Sequence, residues 1–375
     1  MGQFLSPYTG YAQNIESASD FKDANYHFPE LANGVTVIYD KNLVPHIYAE
    51  TKMDAAFVQG YIQAHHRLWQ IDITTRSAAG KLSEIMGKKV LNIDKLQRRK
   101  GMVSGAMKNL EKIEADKEAT AYLDDFISGV NQYIENLSPK KYPIEFKLLN
   151  YQPEPYNRLS YALYLKQLEA TLNAREIDLE STNTKKWLGS DVFNAIYPNY
   201  NPKESPVIPT SVKFEFDNPL YDTTLSDKAL GSFIPYEPFE KPAEGIGSNN
   251  WAVHGSKTKN GHPIVCNDPH LSLTLPSIWY EVHIHAEDLN VYGVTLPGSP
   301  GVIIGFNENI AWGMTNVGQD VADWYQIKWV DDQKNAYWLD GEKIPVTEKV
   351  EAFNLPNGTT TVSYTHLTLP TIYSV

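Results

Sequence analysis

The 375-residue sequence contains a single cysteine, Cys266. An intramolecular disulfide is therefore excluded, a pattern that suits a reducing compartment without ruling out the periplasm. No run of 18 apolar residues occurs, so no segment is long enough to cross a bilayer as a helix, and a membrane is not an expected partner. The opening MGQFLSPYTGYAQN has neither a basic nor an apolar signal-type region. The expectation is a cytoplasmic protein or one whose targeting segment lies outside this sequence. Positive charge is scarce, with 33 Lys and Arg against 45 Asp and Glu for a net charge of -12. An acidic chain with dispersed cations repels phosphate backbones, so nucleic acid is not an expected partner. Internal repeats, low-complexity tracts and a glycine-rich phosphate loop are also missing, and no organic cofactor is expected.

What is present is enough apolar residue, 42% of the chain, to bury the core of one large domain or two ordinary ones. GVTVIY over 34–39 reads as a strand. Phe57, Tyr61, Ala64, Leu68 and Ile71 then recur at helical spacing, with Thr51 and Asp54 as a cap. A second stripe runs through Leu123, Phe126, Ile127, Val130, Tyr133, Ile134 and Leu137 until Ser138-Pro139 stops it, and 158–172 also reads as helix. Residues 198–246 are rich in Pro, Asn, Ser and Glu without periodicity and read as a linker. Beyond it the pattern turns to strands. WAVHG, Asn260-Gly261 and PIVC form a predicted hairpin. Further strands are expected at 278–285, 290–295, 301–305, 309–314 and 324–330, with turns at Asp340-Gly341 and Asn357-Gly358. Helices, a long linker and then consecutive strands predict an α+β fold.

Where the linker meets the first strand stands Gly247-Ser248-Asn249-Asn250-Trp251. A Gly-Ser pair alone is ordinary turn chemistry. At this junction, cleavage between Gly247 and Ser248 would give the serine hydroxyl an α-amine of its own. Such an amine has a pKa of about 7.7–8.0 and can act as general base. That answers the weakness of serine as a nucleophile without a separate base. Gly247, lacking a side chain, leaves its carbonyl open to the hydroxyl.

GSNNWAV, CNDPHL and SIWYEVHI together resemble the β-chain start of the penicillin acylase family, which includes penicillin, cephalosporin and acyl-homoserine-lactone acylases. VPHIYAETKMDAAFVQGYIQAHHRLWQIDITTRSAAGKLSEIMG is similar to that family's α-chain opening. LPGSPGVIIGFNENIAWGMTNVGQDVADWY resembles its next β-chain segment. The resemblance implies an N-terminal-nucleophile αββα sandwich matured by autoproteolysis and spacer removal. It divides the chain into a mainly helical α-chain-like region at 1–197, a spacer at 198–247 and the start of the β-chain at 248–366. It also implies a longer chain than this one, and 367–375 depart from it as a non-native tail.

Carried over by resemblance, Ser248 is nucleophile and base, with autocleavage between Gly247 and Ser248. His270 tunes the hydroxyl or the amine, and its histidine identity points to the cephalosporin and lactone acylase branch. The backbone amide of Val317, next to Asn316, helps hold the oxyanion. Leu271 and Ile304 correspond to acyl-pocket positions where aliphatic side chains favour a fatty acyl group. Glu176, Asp320 and Asp323 match Ca²⁺ ligands, an oxygen-only set of the kind calcium takes; the alternative is that they are plain surface carboxylates. The implied reaction is hydrolysis of a small N-acyl substrate, a β-lactam or an acyl homoserine lactone. The implied partners are α and β chains cut from one precursor and kept as a heterodimer, in the periplasm or outside the cell.

Two other readings weigh less. A binding protein retaining the fold would have no need of a junctional Gly-Ser. A zinc hydrolase built on His283 and His285 has no spaced third ligand, and strand alternation alone generates such pairs. His65-His66 in the first helix reads as packing or contact between the two halves, and Cys266 as a core residue.

Overall fold

A computed structural model describes residues 23–173, 178–198, 203, 211–213, 247–316 and 327–366. Strands β1 (Thr36–Tyr39) and β2 (Pro45–Ala49) lead into helix α1 (Lys52–Ala79). Thr51 caps α1 as the sequence predicts, its Oγ1 accepting from the Asp54 amide at 3.0 Å. Gly80, in the left-handed region at φ 63°, ends it. The short helices α2 (Ser83–Met86) and α3 (Leu91–Arg99) follow, then α4 (Met102–Ala115), α5 (Lys117–Glu135), α6 (Ile144–Leu149) and α7 (Arg158–Asn173). Asp94, fully buried, joins α2 to α3 by accepting from the Leu82 and Ser83 amides at 2.9 and 2.6 Å.

The two helical stripes read in the sequence meet each other. Leu68 and Ile71 of α1 pack with Leu123, Phe126, Ile127 and Val130 of α5 in one core cluster. The helices touch backbone to backbone, because a Cβ on Gly60 would lie 2.0 Å from the Phe126 carbonyl oxygen and one on Gly129 1.8 Å from that of Phe57. Glycine weakens a helix interior, yet here only glycine fits.

The opposite side of α1 covers a mixed six-stranded sheet. Its strands are β1, β2, β5 (Tyr280–Ala286), β6 (Leu289–Thr295), β7 (Ile304–Phe306) and β8 (Ala311–Trp312), hydrogen-bonded in that order. Tyr280, Val282, Ile284 and Ala286 alternate inward from β5 and meet Ile47, Ala55, Phe57, Val58 and Ile62. β2 and β5 pair in parallel, His46 opposite His283 and Ala49 opposite Ala286, whereas the other pairings are antiparallel. The N-terminal strands are thus built into the sheet of the later segment. The α+β class stands, with one helix layer on this sheet.

Strands β3 (Gly247–Val253) and β4 (Ile264–His270) form the predicted hairpin, with Gly261 at φ 75° in its turn. β9 (Lys328–Trp329), β10 (Ala336–Leu339) and β11 (Glu342–Pro345) form a second small sheet, and Asp340-Gly341 turns it as expected, at φ 49° and 83°. β12 (Glu348–Asn354) pairs with β13 (Thr360–His366) around Asn357-Gly358.

The chain divides into two compact units: residues 1–172, 244–318 and 327–375 in one, 173–243 and 319–326 in the other. In the second, helices α8 (Asp178–Leu188) and α9 (Ser190–Ile196) are joined through Gly189 at φ 79°. Nearly all of the predicted linker, together with Glu176, Val317, Asp320, Asp323 and the tail 367–375, lies outside the described residues.

Candidate active site

The hairpin β3–β4 carries the junction motif. Its register sets Gly247 opposite His270, Ser248 opposite Pro269, Asn249 opposite Asp268 and Asn250 opposite Asn267. Strand alternation therefore directs Ser248, Asn250 and Asn267 to one face and Asp268 and His270 to the other. The Ser248 hydroxyl donates to the Gly247 carbonyl oxygen at 2.6 Å. The hydroxyl thus rests on the peptide group whose cleavage would free its own amine. The His270 ring pairs with its strand neighbour instead, Nε2 lying 2.7 Å from Asp268 Oδ2.

The irregular segment 313–316 that follows β8 is tied to this hairpin through one side chain that the sequence reading missed. Asn267 Nδ2 donates to the Met314 carbonyl at 2.9 Å, and the Met314 amide donates back to Asn267 Oδ1 at 3.1 Å. The same Nδ2 reaches the Asn249 carbonyl at 3.2 Å. Two residues on, Asn316 Nδ2 donates to the Leu172 carbonyl near the end of α7 at 2.6 Å. The segment leading to Val317 is therefore held from both sides. Leu271 follows β4 half-buried, while Ile304 opens β7 opposite Val294 in the six-stranded sheet.

The loop between β6 and β7 is seated by α1. Gln59 and Gln63 are fully buried. Gln59 Nε2 donates to the Gly301 carbonyl at 2.9 Å and its Oε1 accepts from the Gly301 amide at 2.8 Å. Gln63 Nε2 donates to the Ser299 carbonyl at 3.1 Å, and its Oε1 accepts from the Gly298 amide at 2.9 Å. The Tyr156 hydroxyl donates to the Gly298 carbonyl at 2.8 Å. Buried backbone polar groups need such partners, and two amides one helical turn apart supply four.

The histidine pairs fall into structural settings. His66 Nδ1 lies 2.7 Å from the Tyr280 hydroxyl, a contact between α1 and β5 of the kind expected for His65-His66. Burial first, then the charges of His65 and Arg67, lower the His66 pKa to about 3. His283 Nδ1 stands 2.9 Å from His46 Nδ1 across the parallel pairing, and its Nε2 2.8 Å from Asn290 Oδ1. His285 is exposed.

The penicillin amidase family model matches residues 34–368. The penicillin acylase 2 proenzyme of Pseudomonas sp. (strain SE83) is 30% identical over 318 residues, which cover 82% of this chain and 39% of that protein. The acyl-homoserine lactone acylase QuiP of Pseudomonas aeruginosa is 29% identical over 332 residues, 86% of this chain and 38% of its own length. The chain therefore spans about two fifths of the relatives it matches. A solved thermostable penicillin G acylase from Alcaligenes faecalis covers 48% of this chain and 98% of its own, at 18% identity and a TM-score of 0.43. On the extent of the family match, which runs from β1 through the hairpin bearing Ser248 to the end of β13, this chain belongs to the penicillin amidase family.

Proposed function

We propose that the chain is part of a self-cleaving acylase precursor in which Ser248 is the latent nucleophile. The observation that carries this reading is the Ser248 hydroxyl, 2.6 Å from the Gly247 carbonyl oxygen at the head of β3. In the cut, the hydroxyl oxygen adds to the Gly247 carbonyl carbon. The carbon–nitrogen bond then breaks and the departing nitrogen takes the proton, leaving an ester between Gly247 and Ser248. Water hydrolyses the ester, releasing the Gly247 carboxylate and the Ser248 amine. That amine, with a pKa of about 7.7–8.0 when unperturbed, then accepts the hydroxyl proton as the oxygen attacks a substrate amide. The acyl group passes to Ser248, the amine product leaves, and water returns the free acid.

The segment through Asn316 to Val317 is proposed to supply a backbone donor to the oxyanion; one such donor is typically worth a hundred- to a thousandfold in rate. His270 is proposed to tune the amine or hydroxyl once the chain is cut and the strand end is released from Gly247. Leu271 and Ile304 favour an aliphatic acyl chain, so the substrate is an N-acyl compound of the acyl-homoserine-lactone or β-lactam type. The two cut segments would stay together, supported by the parallel pairing of β2 with β5 and by the Gln59 and Gln63 bonds to 298–301. Calcium held by Glu176, Asp320 and Asp323 is proposed as a structural ion with no part in the reaction, and export to the periplasm or beyond as the setting.

Intact mass of the protein expressed from its source gene tests the reading. Two chains are expected, the second starting at Ser248, and Ser248→Ala is expected to remain single. A wild type that also stays uncut leaves Ser248 without its amine and favours a non-catalytic binder.

A further inference from the structure

We propose that Asn267 is a positioning residue for the oxyanion-binding segment, a role that rests on the acylase reading above. Three observations meet at this side chain. It shares a face of the hairpin with Ser248. Its amide makes a reciprocal pair with the Met314 backbone, which lies two residues before Asn316. Its second amide hydrogen goes to the carbonyl of Asn249, the residue after the nucleophile. One planar group thereby fixes the distance between the nucleophile strand and the segment that approaches Val317.

Only a carboxamide can do this. It donates two hydrogens to two carbonyls and accepts one from an N–H at the same time. Aspartate of the same shape would set the oxygen that replaces Nδ2 against both the Met314 and Asn249 carbonyls. Leucine would fill the space and bond to neither. The backbone opposite is matched to the contact, because a Cβ on Gly313 would lie 2.8 Å from Asn267 Cβ and 3.1 Å from Asn250 Nδ2. A glycine at 313 is what allows the segment to come so close. On the far side the Asn316 amide bonds to α7, so loss of the Asn267 pair lets the segment pivot about that anchor and away from Ser248.

The transition state should feel that displacement more than the bound substrate does, since the oxyanion exists only there. A shift on the order of 1 Å at a catalytic group can cost about a hundredfold in rate.

The test uses the protein expressed from its source gene, with wild type, Asn267→Asp, Asn267→Leu and Gly313→Ala compared. Cleavage is read by intact mass, turnover with p-nitrophenyl esters from acetyl to decanoyl, and oxyanion stabilisation by the affinity of an alkylboronic acid, which forms a tetrahedral adduct on a serine. Asn267→Asp is expected to be cut between Gly247 and Ser248, because hydroxyl and carbonyl belong to adjacent residues. Its kcat should fall about a hundredfold and its boronic acid affinity in step, with KM and the melting temperature close to wild type. Gly313→Ala should reproduce this with Asn267 intact, and it decides the matter if the Asn267 variants do not fold. A merely structural role would lower the melting temperature and leave boronic acid affinity per folded molecule unchanged, and that result overturns the proposal. So does wild-type turnover in the variants, or an Asn267→Asp protein that is never cut, which would place Asn267 in maturation instead. A wild type left uncut, or cut and inert to every ester, overturns the acylase reading itself.

Discussion

Replacing His66 by glutamine should remove a specific part of the acid sensitivity of this chain. In the fold His66 is neutral, its pKa lowered to about 3 chiefly by burial, with the Tyr280 hydroxyl 2.7 Å from Nδ1. In the unfolded chain the same ring should titrate near 6.5. Below that value the unfolded state binds one more proton than the folded state, so stability rises with pH across this window. The contribution is complete above about pH 6.5 and is lost progressively as the pH falls towards 3. One proton corresponds to a slope of about 1.4 kcal/mol per pH unit, or about 2 kcal/mol between pH 6.5 and 4.5. Glutamine keeps an acceptor for the Tyr280 hydroxyl and does not titrate. Urea denaturation at half-unit intervals from pH 8 to 4.5 should give parallel stabilities above pH 7 and a wild-type curve that falls away from His66→Gln below it. Carboxylates titrate in both proteins and cancel in the difference. Curves that stay parallel down to pH 4.5 refute the argument, because the ring would then gain its proton as readily in the fold as outside it.

The glycine contact between α1 and α5 gives a second expectation. Gly60→Ala places a Cβ 2.0 Å from the Phe126 carbonyl oxygen, so the helices must part, at a cost of about 1–3 kcal/mol measurable by denaturation. That cost should outweigh alanine's helix advantage. Gln63→Leu keeps the shape of the side chain but strands the buried Gly298 amide, a loss worth about 1–3 kcal/mol, while the Ser299 carbonyl keeps the Thr295 hydroxyl as its donor. Hydrogen exchange should quicken at Gly298 while the α5 amides hold their protection.

How far the fold could be read in advance depended on the range of the interaction. The stripes of α1 and α5, the Thr51 cap and the turns at Asn260-Gly261 and Asp340-Gly341 are written in neighbouring residues, and the structure keeps them. β2 was hidden because PHIYA is short and one of its two neighbours, the parallel strand β5, lies far along the chain. The apolar run at 301–305 predicted a longer strand than the observed β7, since 296–303 is a loop, buried over 296–299 and half-buried after it. Its backbone is satisfied by Gln59 and Gln63, polar residues that simply interrupt the stripe when read from α1 alone. At the candidate site, the contact of the Ser248 hydroxyl with the Gly247 carbonyl joins adjacent residues and so lies within the reach of a sequence reading. The role of Asn267 as a tie lies outside that reach, because its partners Met314 and Asn249 come from two other stretches of the chain. His270 was assigned its role by resemblance; in the structure the hairpin register puts it opposite Gly247 and its ring pairs with Asp268.

The parallel pairing of β2 with β5 also sets a timetable for synthesis. β2 ends at Ala49 and its parallel partner begins at Tyr280, so about 230 residues must be translated before the edge of β2 turned away from β1 can be paired. At about 5–20 residues per second this is roughly 10–50 seconds. α1 and α5, much closer in sequence, can pack within about the first two fifths of that interval. During the remainder the apolar underside of α1, with Phe57, Val58 and Ile62, has the β1–β2 hairpin but no β5 to cover it. A nascent chain of this protein therefore offers a holding chaperone a defined surface for a defined time, and release can follow once Ala286 has left the ribosome.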